Sequence, residues 1–471
     1  MAEKPSRYTE IERKYAVDAD TAMPSFDALA AVGRAERAPV AQLDAVYFDT
    51  PGRDLAGHKI TLRRRTGGTD AGWHLKLPAG AGARTEMRMP LTESPDAVPG
   101  PLRDVVLAVV RDWPLAPVAH IATARTVTTL YGPDGGELAE FCDDRVRASA
   151  TGGEEQSWRE WELELAPGAD PAVLDRLSGR LLDAGASPAG HASKLSRVLG
   201  TGPATRTGPA DATVAGVLAA QVNALVECDR LVRADAPDAV HQMRVNTRRL
   251  RSLLPDGAPV RDELRLLAEV LGTARDAEVL GERYRLALNA LPAELVRGPV
   301  RERLVGGAER RWRAGLQRAL TAMRSERYFR LLDELDAEVD EPARARPSLT
   351  AAYRRLRKAA HQAHLRSVEP QPEALHRIRK SAKTVRYIAA ARGAKKVAAR
   401  AAEIQVLLGE HQDSRVSAEH LLAAAGDAQA AGEETFTYGV LYQRELDAAA
   451  AARAQLAPAL RSLHRVMHKR R

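Results

Sequence analysis

Cysteine and aromatic residues are scarce in this sequence. Its 471 residues include two cysteines, Cys142 and Cys228, which lie far apart without a CxxC spacing, so neither a disulfide framework nor a thiolate metal site is expected. No apolar run approaches the roughly 18 residues of a membrane span. The N-terminal segment is polar and lacks the hydrophobic stretch of a secretory signal. These absences predict a soluble, cytoplasmic protein with no membrane partner.

Charge, in contrast, is abundant and unevenly distributed. Residues 1–200 hold 24 Lys and Arg against 29 Asp and Glu, a net charge of −5. Residues 201–471 hold the remaining 46 against 33, a net charge of +13, and the two halves sum to the +8 of the chain. This asymmetry predicts two modules, of which the second meets a polyanion. A solvated basic surface explains net charge alone equally well.

Alternating apolar and polar residues in the first 165 positions are typical of β-strands. Eight such runs are separated by turn sequences such as Pro51-Gly52. Helices are expected between them at 24–33, 101–111 and 171–185. Eight strands at this spacing predict an antiparallel barrel or sandwich. The runs are EIERKYAV, LDAVYFDT, KITLRRRT, GWHLKLP, RTEMRMP, RTVTTLY, ELAEFCDDRVRA and SWREWELELA.

The segment GTGPATRTGPAD, residues 200–211, is rich in Gly, Pro and Thr and predicts a linker, placed at 201–211. Beyond it, residues 212–471 are rich in Ala, Leu and Arg and have helical periodicity. The sequence therefore predicts a first domain of residues 1–200, a linker at 201–211 and a second, all-helical domain.

The helical half contains an internal repeat. AVHQMRVNTRRLRSLL (239–254) resembles ALHRIRKSAKTVRYIA (374–389) at an offset of 135. EVLGTARDAEVL (269–280) resembles VLLGEHQDSRVS (406–417) at an offset of 137. Two similar helical units in tandem are therefore predicted.

Residues two apart in a strand share a face. By this rule, one face of the predicted strands is almost purely charged. The ordinary interpretation is a solvated outer face. However, carboxylates dominate the first and last strands and Arg or Lys the middle ones, which favours a barrel with a charged lumen. Such a lumen suits a metal-bound polyphosphate, with oxygen ligands for Mg²⁺ or Mn²⁺ and Arg or Lys for the phosphates. The charged positions are Glu10, Glu12, Lys14, Arg63, Arg65, His74, Lys76, Arg84, Glu86, Arg88, Arg125, Asp144, Glu160, Glu162 and Glu164.

The pattern Glu10-Ile11-Glu12-Arg13-Lys14, with YFDTPGRDLAGHKITLRRR and EWELEL further along, resembles the CYTH family of triphosphate tunnel enzymes. The resemblance covers roughly residues 7–200. It implies an α+β fold with an eight-stranded antiparallel tunnel. It also implies metal-dependent hydrolysis of inorganic triphosphate, thiamine triphosphate or long polyphosphate, with a few members acting as adenylyl cyclases.

The same resemblance implies roles for individual residues. Glu10, Glu12 and Lys14 would be catalytic, with Lys14 positioning substrate or water. The implied metal ligands, for Mg²⁺ or Mn²⁺, are Glu10, Glu12, Glu162, Glu164, Asp144 and Glu86, and Asp143 stays open as an alternative to Asp144. The implied triphosphate-binding residues are Arg63, Arg65, Lys76, Arg125, Lys194 and, as a weaker match, Arg84.

Two basic stripes mark the helical repeat. The first contains His241, Arg244, Arg248 and Arg251, spaced by +3, +7 and +10, which fall within roughly an 80° arc of a helix. The second has the same spacing and contains His376, Arg379, Lys383 and Arg386. A single stripe of this kind is often a solvated face whose side chains extend along an apolar surface. Two at matched positions favour a shared basic surface.

These segments, over about residues 212–471, resemble the CHAD family, the conserved histidine α-helical domain. The resemblance implies two pseudo-symmetric four-helix bundles that bind inorganic polyphosphate through both stripes. The second repeat departs from the first because Lys383 replaces an arginine. Secondary candidates for the same ligand are Arg275, His411, Arg354, Arg357 and Lys358.

Three functions are compatible with these features. The leading hypothesis is a triphosphatase acting on phosphoanhydride bonds, joined to a polyphosphate-binding module. The second is a non-catalytic polyphosphate-binding or scaffold protein. The third, nucleic-acid binding, has less support, since Trp312 is the only Trp of the basic half and no aromatic residues interleave with the stripes for base stacking.

Overall fold

The chain forms two compact units, residues 1–206 and 207–471. The structure, a computed structural model, describes residues 5–26, 29–80, 82–200, 214–255, 257–340, 348–366 and 372–468. The predicted linker, 201–211, lies outside these described residues.

The first unit is a closed antiparallel barrel. Its strands are β1 (Ser6–Val17), β3 (Ala41–Asp49), β4 (Thr61–Thr66), β5 (Gly72–Pro78), β6 (Ala83–Met89), β7 (Ala116–Tyr131), β8 (Glu137–Ala150) and β9 (Gln156–Leu165). They follow the order β1-β6-β5-β4-β3-β7-β8-β9, and β9 pairs again with β1. This closure confirms the predicted eight-stranded tunnel and excludes the sandwich. Two short strands extend it, β2 (Arg34–Arg37) on β7 and β10 (Ser187–Pro188) on β1.

Short helices decorate the barrel. They are α1 (Asp54–Gly57), α2 (Gly100–Val105), α3 (Leu107–Val110), α4 (Ala172–Asp183) and α5 (Lys194–Val198). The helix predicted at 171–185 is confirmed by α4, and the one at 101–111 is divided into α2 and α3. The helix predicted at 24–33 is wrong for its described residues, which form turns and irregular backbone. There Phe26 and Val32 are buried in an apolar cluster on the barrel, so tertiary burial overrides the helical pattern.

The apolar core lies outside the barrel wall. Tyr15, Phe141 and Trp161 project outward and pack against Leu174 and Leu177 of α4. Burying such aromatic and leucine side chains contributes about 1.5–3 kcal/mol each. The outer face therefore supplies the hydrophobic stabilisation, and the inner face is left for charged residues.

Helix α5 closes one end of the barrel. Its Leu195 and Val198 pack against Tyr47, Ile121 and Val146, which have the inward parity of their strands. A capping box begins the helix, since the Ser193 side chain accepts from Ser196 N at 3.1 Å and Ser196 Oγ accepts from Ser193 N at 3.0 Å. The lumen is consequently apolar at the closed end and charged beyond it.

The second unit is helical throughout its described residues, apart from turns. Its helices are α6 (Val214–Arg233), α7 (Ala239–Leu253), α8 (Val260–Asn289), α9 (Gly307–Ala322), α10 (Glu326–Asp340), α11 (Leu349–Arg366), α12 (Pro372–Ala391), α13 (Lys395–Ala430), α14 (Phe436–Ala454) and α15 (Leu456–His468). A π-helical turn, Glu302–Gly306, precedes α9. None of the helices described is long and apolar enough to cross a membrane.

The predicted pair of bundles is present. Helix α6 packs on α7, α7 on α8, and α10 on α6 and α8. In the second repeat α11, α12, α13 and α15 share one core, which includes Leu356, Ile378, Ile404 and Leu463. The long helices α8 and α13 extend beyond their bundles, and their C-terminal halves meet around Tyr284 and residues of α14. Helices α6–α10 thus correspond in order to α11–α15.

Candidate functional site

The register of the barrel turns the charged residues of β1 towards the lumen. Glu12 lies opposite Glu164, and Lys14 opposite Glu162, where β1 pairs with β9. Glu10 is two residues away on the same face. Directly opposite residues of an antiparallel pair project to one side, so the charged parity of the sequence is the inside of the barrel. The lumen contains a cavity of about 450 Å³.

Most of the predicted tunnel residues line this cavity. Those that do are Glu10, Glu12, Lys14, Arg63, Arg65, Lys76, Arg84, Arg125, Glu162, Glu164 and Lys194. The other two, Asp144 and Glu86, are fully buried and do not line it. The structure therefore brings together residues of six strands and of α5.

Lys14 is held between two carboxylates. Its ammonium lies 2.9 Å from Glu12 Oε2 and also donates to Glu162 Oε1. Burial lowers the pKa of Lys14, but Glu12 and Glu162 outweigh burial and raise the pKa above its ordinary value. Burial raises the pKa of Glu12, but Lys14 and Lys76 bring it down to about 2. Lys14 is therefore positively charged near neutral pH and can hold an anion or a water molecule.

Lys194 neutralises a compact buried acidic group. Its ammonium lies 2.8 Å from Asp144, 2.7 Å from Glu160 and 2.8 Å from Glu162. Oxygens of these three acids lie within 4.8 Å of one another, close enough to share a metal ion. Because the Lys194 ammonium already lies among them, a metal ion could use all three only if Lys194 moved away.

A second acidic set, Glu10, Glu12 and Glu164, is less completely neutralised. Glu10 Oε1 accepts from Lys76 at 2.6 Å, but Glu10 Oε2 is buried without a hydrogen-bond partner. Glu164 has no ion partner among the residues that the structure describes, and burial followed by Glu10 raises the pKa of Glu164 to about 7. Buried carboxylate oxygens left unpaired are costly. A divalent cation would satisfy them, so these residues fit a metal site.

Two arginines differ in how far the protein neutralises them. Arg125 donates to both oxygens of Asp144, at 2.8 and 2.6 Å, and to Glu162 at 2.6 Å. Arg63 donates to the phenol oxygen of Tyr47 at 3.2 Å, and within the described ranges no carboxylate lies at ion-pair distance from it. Its Nε is also buried without a partner. Arg63 therefore retains donors for a bound anion.

The structure decides between Asp143 and Asp144. Asp144 contacts Arg125 and Lys194 on the lumen side. Asp143 lies on the outer face of β8, where it accepts from Arg159 at 2.8 and 2.9 Å and from Trp161 at 3.1 Å. Asp143 is therefore part of the outer core rather than of the tunnel.

Glu86 is not supported as a metal ligand. One oxygen shares a hydrogen bond with His74 Nδ1 at 2.8 Å, and the other accepts from Arg88 Nε at 2.8 Å. Burial raises the pKa of Glu86 to about 8 and lowers that of His74 to about 2. Because both oxygens are engaged and the side chain is fully buried, Glu86 supports Arg88 rather than facing the cavity.

Further lumen residues were missed by sequence reasoning. Asp70 pairs with Arg65 and lies in the turn between β4 and β5, where strand parity makes no prediction. Tyr47 has the lumen parity, but an aromatic residue in an apolar run indicates core. Its phenol beside Arg63 could be found only in three dimensions. Other lining residues not predicted are Tyr8, Thr61, Thr123, Glu137 and Glu140.

In the helical unit, the two basic stripes meet where α7 packs on α12. The pKa of Lys383 is lowered to about 7, most strongly by burial and then by Arg379, Arg248 and Arg244. The stripes of both repeats therefore face one another. Among the described residues, Arg248 and Lys383 have no carboxylate within ion-pair distance, which leaves a concentrated positive surface. We call these four residues, Arg244, Arg248, Arg379 and Lys383, the four-cation cluster.

The ends of the stripes lie around this cluster. Burial, then Arg275, lowers the pKa of His241, and Arg275 pairs with Glu278 at 2.8 Å. Arg251 is beside Arg261 and Arg265, which with burial lower its pKa. Arg386 donates to Gln405 at 3.0 Å, and His376 is exposed.

The remaining candidates are not joined to the cluster by any contact described. His411 Nδ1 donates to the carbonyl oxygen of Ala449 on α14 at 3.0 Å, so His411 faces α14. Arg357 lines a groove with Tyr353 and His464 between α11 and α15. Arg354 and Lys358 are exposed on the same helix. Helical periodicity alone could not separate these faces.

Comparison with known proteins places both units in families. Residues 8–177 match the family model of the CYTH domain, and residues 216–422 match that of the CHAD domain. The chain is 56% identical, over 512 residues, to a Mycobacterium tuberculosis protein called "Uncharacterized protein Rv2226", covering 100% of this chain and 99% of that protein. CYTH and CHAD domains bind phosphate-type substrates, and the CYTH family is metal-dependent.

Two solved structures each resemble about half of the chain. PptA from Streptomyces chartreusis is 25% identical, with a TM-score of 0.45, and the match covers 53% of this chain and 98% of that one. The CHAD domain from the plant Ricinus communis is 23% identical, with a TM-score of 0.42, over 55% of this chain and 94% of that one.

Proposed function

We propose that this chain, which belongs to the CYTH and CHAD domain families, is a metal-dependent triphosphatase. Its substrate is inorganic triphosphate or the end of a polyphosphate chain, held in the barrel. The helical unit binds inorganic polyphosphate. The observation that carries the proposal is the closed lumen, in which partly unsatisfied carboxylates lie beside cations that keep free donors.

The metal would be held by Glu10, Glu12 and Glu164. The unpaired Glu10 Oε2 and the unpaired Glu164 are the features of this chain that fit it. Bound Mg²⁺ or Mn²⁺ would neutralise phosphate oxygens and polarise the bond that breaks.

The chain's own cations would place the phosphates. Arg63 can donate to a terminal phosphate without first losing a carboxylate, since Tyr47 is its one hydrogen-bond partner among the described residues. Arg125 and Lys194 are already bound to acids and would stabilise the negative charge that develops as the P–O bond breaks. Lys14, positively charged near neutral pH, would hold the attacking water or a phosphate oxygen. No covalent intermediate on the protein is required for such a transfer.

The closed end of the barrel favours action at chain ends. Helix α5 fills that end with Leu195 and Val198. A long polymer could not thread through, so its terminal phosphates would enter from the open end. This argument supports inorganic triphosphate and terminal residues of polyphosphate over internal cleavage.

Phosphate release from the full chain tests the tunnel assignment. Inorganic triphosphate, long polyphosphate and ATP would be compared with and without Mg²⁺ or Mn²⁺, with cyclic AMP measured for the ATP samples. Glu10→Gln and Glu12→Gln should lower turnover by about 100-fold or more, as for loss of a key electrostatic group. Glu93→Gln, in an exposed loop, is the matched control. Unchanged turnover in the Glu10 and Glu12 variants would refute the assignment, and no turnover in the unaltered chain would favour the non-catalytic scaffold.

Binding of polyphosphate to the helical unit rests on the four-cation cluster. Arg244→Ala and Arg379→Ala in the full chain should each weaken polyphosphate binding, because charge-assisted contacts to phosphate are lost. Binding should also weaken steeply with salt, as for other polyanions. Competition between polyphosphate and duplex DNA tests the third hypothesis, nucleic-acid binding. If excess polyphosphate failed to displace DNA, the cluster would be a nucleic-acid site instead.

A further inference from the structure

The two repeats carry a matched glycine in the middle of a long helix. Gly272 lies within α8 and Gly409 within α13, at the offset of 137 that relates the repeats. Glycine in a helix interior costs roughly 0.5–1 kcal/mol relative to alanine, as the glycine loses more conformational entropy. Both helices are otherwise rich in good helix formers. A glycine at the same position in both therefore needs a local cause.

In the first repeat, the cause is Arg244. A Cβ on Gly272 would lie 3.3 Å from Arg244 Nη1 and 3.7 Å from its Cζ. Arg244 Nη1 donates to the carbonyl oxygen of Gly272 at 3.0 Å and to Asp276, one helical turn further, at 2.9 Å. The guanidinium thus lies directly over Gly272, so close that a methyl group at this position would push it away by a few tenths of an ångström.

The second repeat builds the same arrangement from different partners. A Cβ on Gly409 would lie 3.2 Å from Arg379 Nη2 and 3.7 Å from Nε. Arg379 Nη1 donates to Gln412 Oε1 at 3.1 Å, and Asp413 acts on it electrostatically. Asp413 is the counterpart of Asp276. The glycine and the aspartate recur, although the hydrogen-bond partner changes.

The two arginines also share an unsatisfied donor. The Nε atoms of Arg244 and Arg379 are both buried without a hydrogen-bond partner. The anchors described above engage only Nη1 in each residue. Both guanidinium groups are therefore held in place, while among the described residues part of their hydrogen-bonding capacity has no partner.

We propose that Gly272 and Gly409 are positioning residues for polyphosphate binding. Each leaves a gap in a long helix that holds one arginine of the four-cation cluster in its binding orientation. The inference rests on the proposed binding of polyphosphate by the helical unit. It adds two residues that carry no charge and do not themselves contact the ligand.

Gly272→Ala and Gly409→Ala in the full chain test the inference. An added methyl group would displace the guanidinium by a few tenths of an ångström, and each variant should bind long-chain polyphosphate about three- to tenfold more weakly, a partial loss of a charge-assisted contact. The melting temperature should stay the same or rise, because alanine favours the helix. Gly426→Ala, in α13 with nothing near its Cβ position, is the matched control and should raise stability without changing affinity.

A double-mutant cycle separates positioning from a general effect. If Gly409 acts through Arg379, Gly409→Ala should have no further effect on affinity once Arg379→Ala is present. The same cycle pairs Gly272 with Arg244, so each repeat tests the inference separately. Unchanged affinity in the glycine variants, or additive losses in the cycle, would overturn the inference. Absence of polyphosphate binding by the unaltered chain would instead overturn the proposed function.

Discussion

Lys383 offers the sharpest prediction about the helical unit, namely that polyphosphate binding takes up a proton. Burial lowers the pKa of Lys383 most, Arg379, Arg248 and Arg244 add to this in that order, and Asp413 opposes them, so that the pKa comes to about 7. At pH 8 about nine-tenths of the free protein would therefore carry a neutral Lys383. A bound polyanion would offset the repulsion from the arginines and raise this pKa towards its ordinary value.

The sign and size of the effect follow from linkage. Because the pKa of Lys383 is higher in the complex than in the free protein, affinity is greatest below pH 7 and falls as the pH rises. The decrease is at most about tenfold per pH unit, between pH 7 and the pKa of the complex. Close to one proton should be taken up per bound site at pH 8.5.

Titration calorimetry measures this uptake directly. Binding of polyphosphate would be measured at pH 8–8.5 and constant ionic strength, in buffers of different ionisation enthalpy. Burial and Arg275 lower the pKa of His241 below its ordinary value, so His241 is neutral in this range and contributes little. Lys383→Arg keeps the charge but cannot lose the proton, and should abolish the uptake while preserving binding. Lys380→Arg, exposed on the same helix, is the control. If the unaltered chain took up no proton, or Lys383→Arg took up as many, the reasoning would be refuted.

Three further predictions concern the barrel. Lys194→Met should lower the free energy of unfolding by about 3 kcal/mol, because it leaves three buried acids without their shared cation. Thermal denaturation should show that millimolar Mg²⁺ restores part of this lost stability. Equal stability of the variant and the unaltered chain would contradict the role of Lys194. Asp143→Asn should lower the free energy of unfolding by a similar amount, because it weakens the buried pair with Arg159, but turnover per folded molecule should not change. Asp144→Asn should lower turnover. Equal losses of turnover in the two variants would argue against Asp144 as the lumen residue. Chelation with EDTA should abolish phosphate release and added Mg²⁺ or Mn²⁺ should restore it, so persistent release in EDTA would speak against a metal-dependent reaction.

The inside of the barrel could be predicted because strand parity is a local property. Alternation alone turns Glu10, Glu12 and Lys14 to one face, and closure of the barrel makes that face the lumen. Parity cannot say how deep a side chain lies. Glu86 has the correct parity, but His74 and Arg88 engage both of its oxygens.

Strand parity could not predict the positions of residues outside regular strands. Asp70 lies in a turn and reaches Arg65 only because the turn folds over the lumen. Helix α5 is five residues long, too short for any periodicity to predict, yet it closes the barrel and delivers Lys194. In the helical unit, the repeat predicted that two stripes would meet. It could not predict that His411 would face α14, because side chains on either side of a helix share one periodicity.

We expect the two units to bind phosphate groups differently, because their cations differ in how far carboxylates neutralise them. In the barrel, each of four cations is bound to a carboxylate, namely Lys14, Lys76, Arg125 and Lys194. We therefore expect a ligand to compete with these internal partners, and a metal ion to favour binding of the ligand. In the helical unit, Arg248 and Lys383 of the four-cation cluster have no carboxylate at ion-pair distance among the described residues, and the lowered pKa of Lys383 reflects the repulsion between the cations. A site of the first kind should be selective for the arrangement of phosphate and metal but little affected by salt. A site of the second kind should accept any polyphosphate long enough to span it, with strong dependence on salt and pH. Raising the salt concentration should therefore weaken polymer binding well before it slows the hydrolysis of inorganic triphosphate.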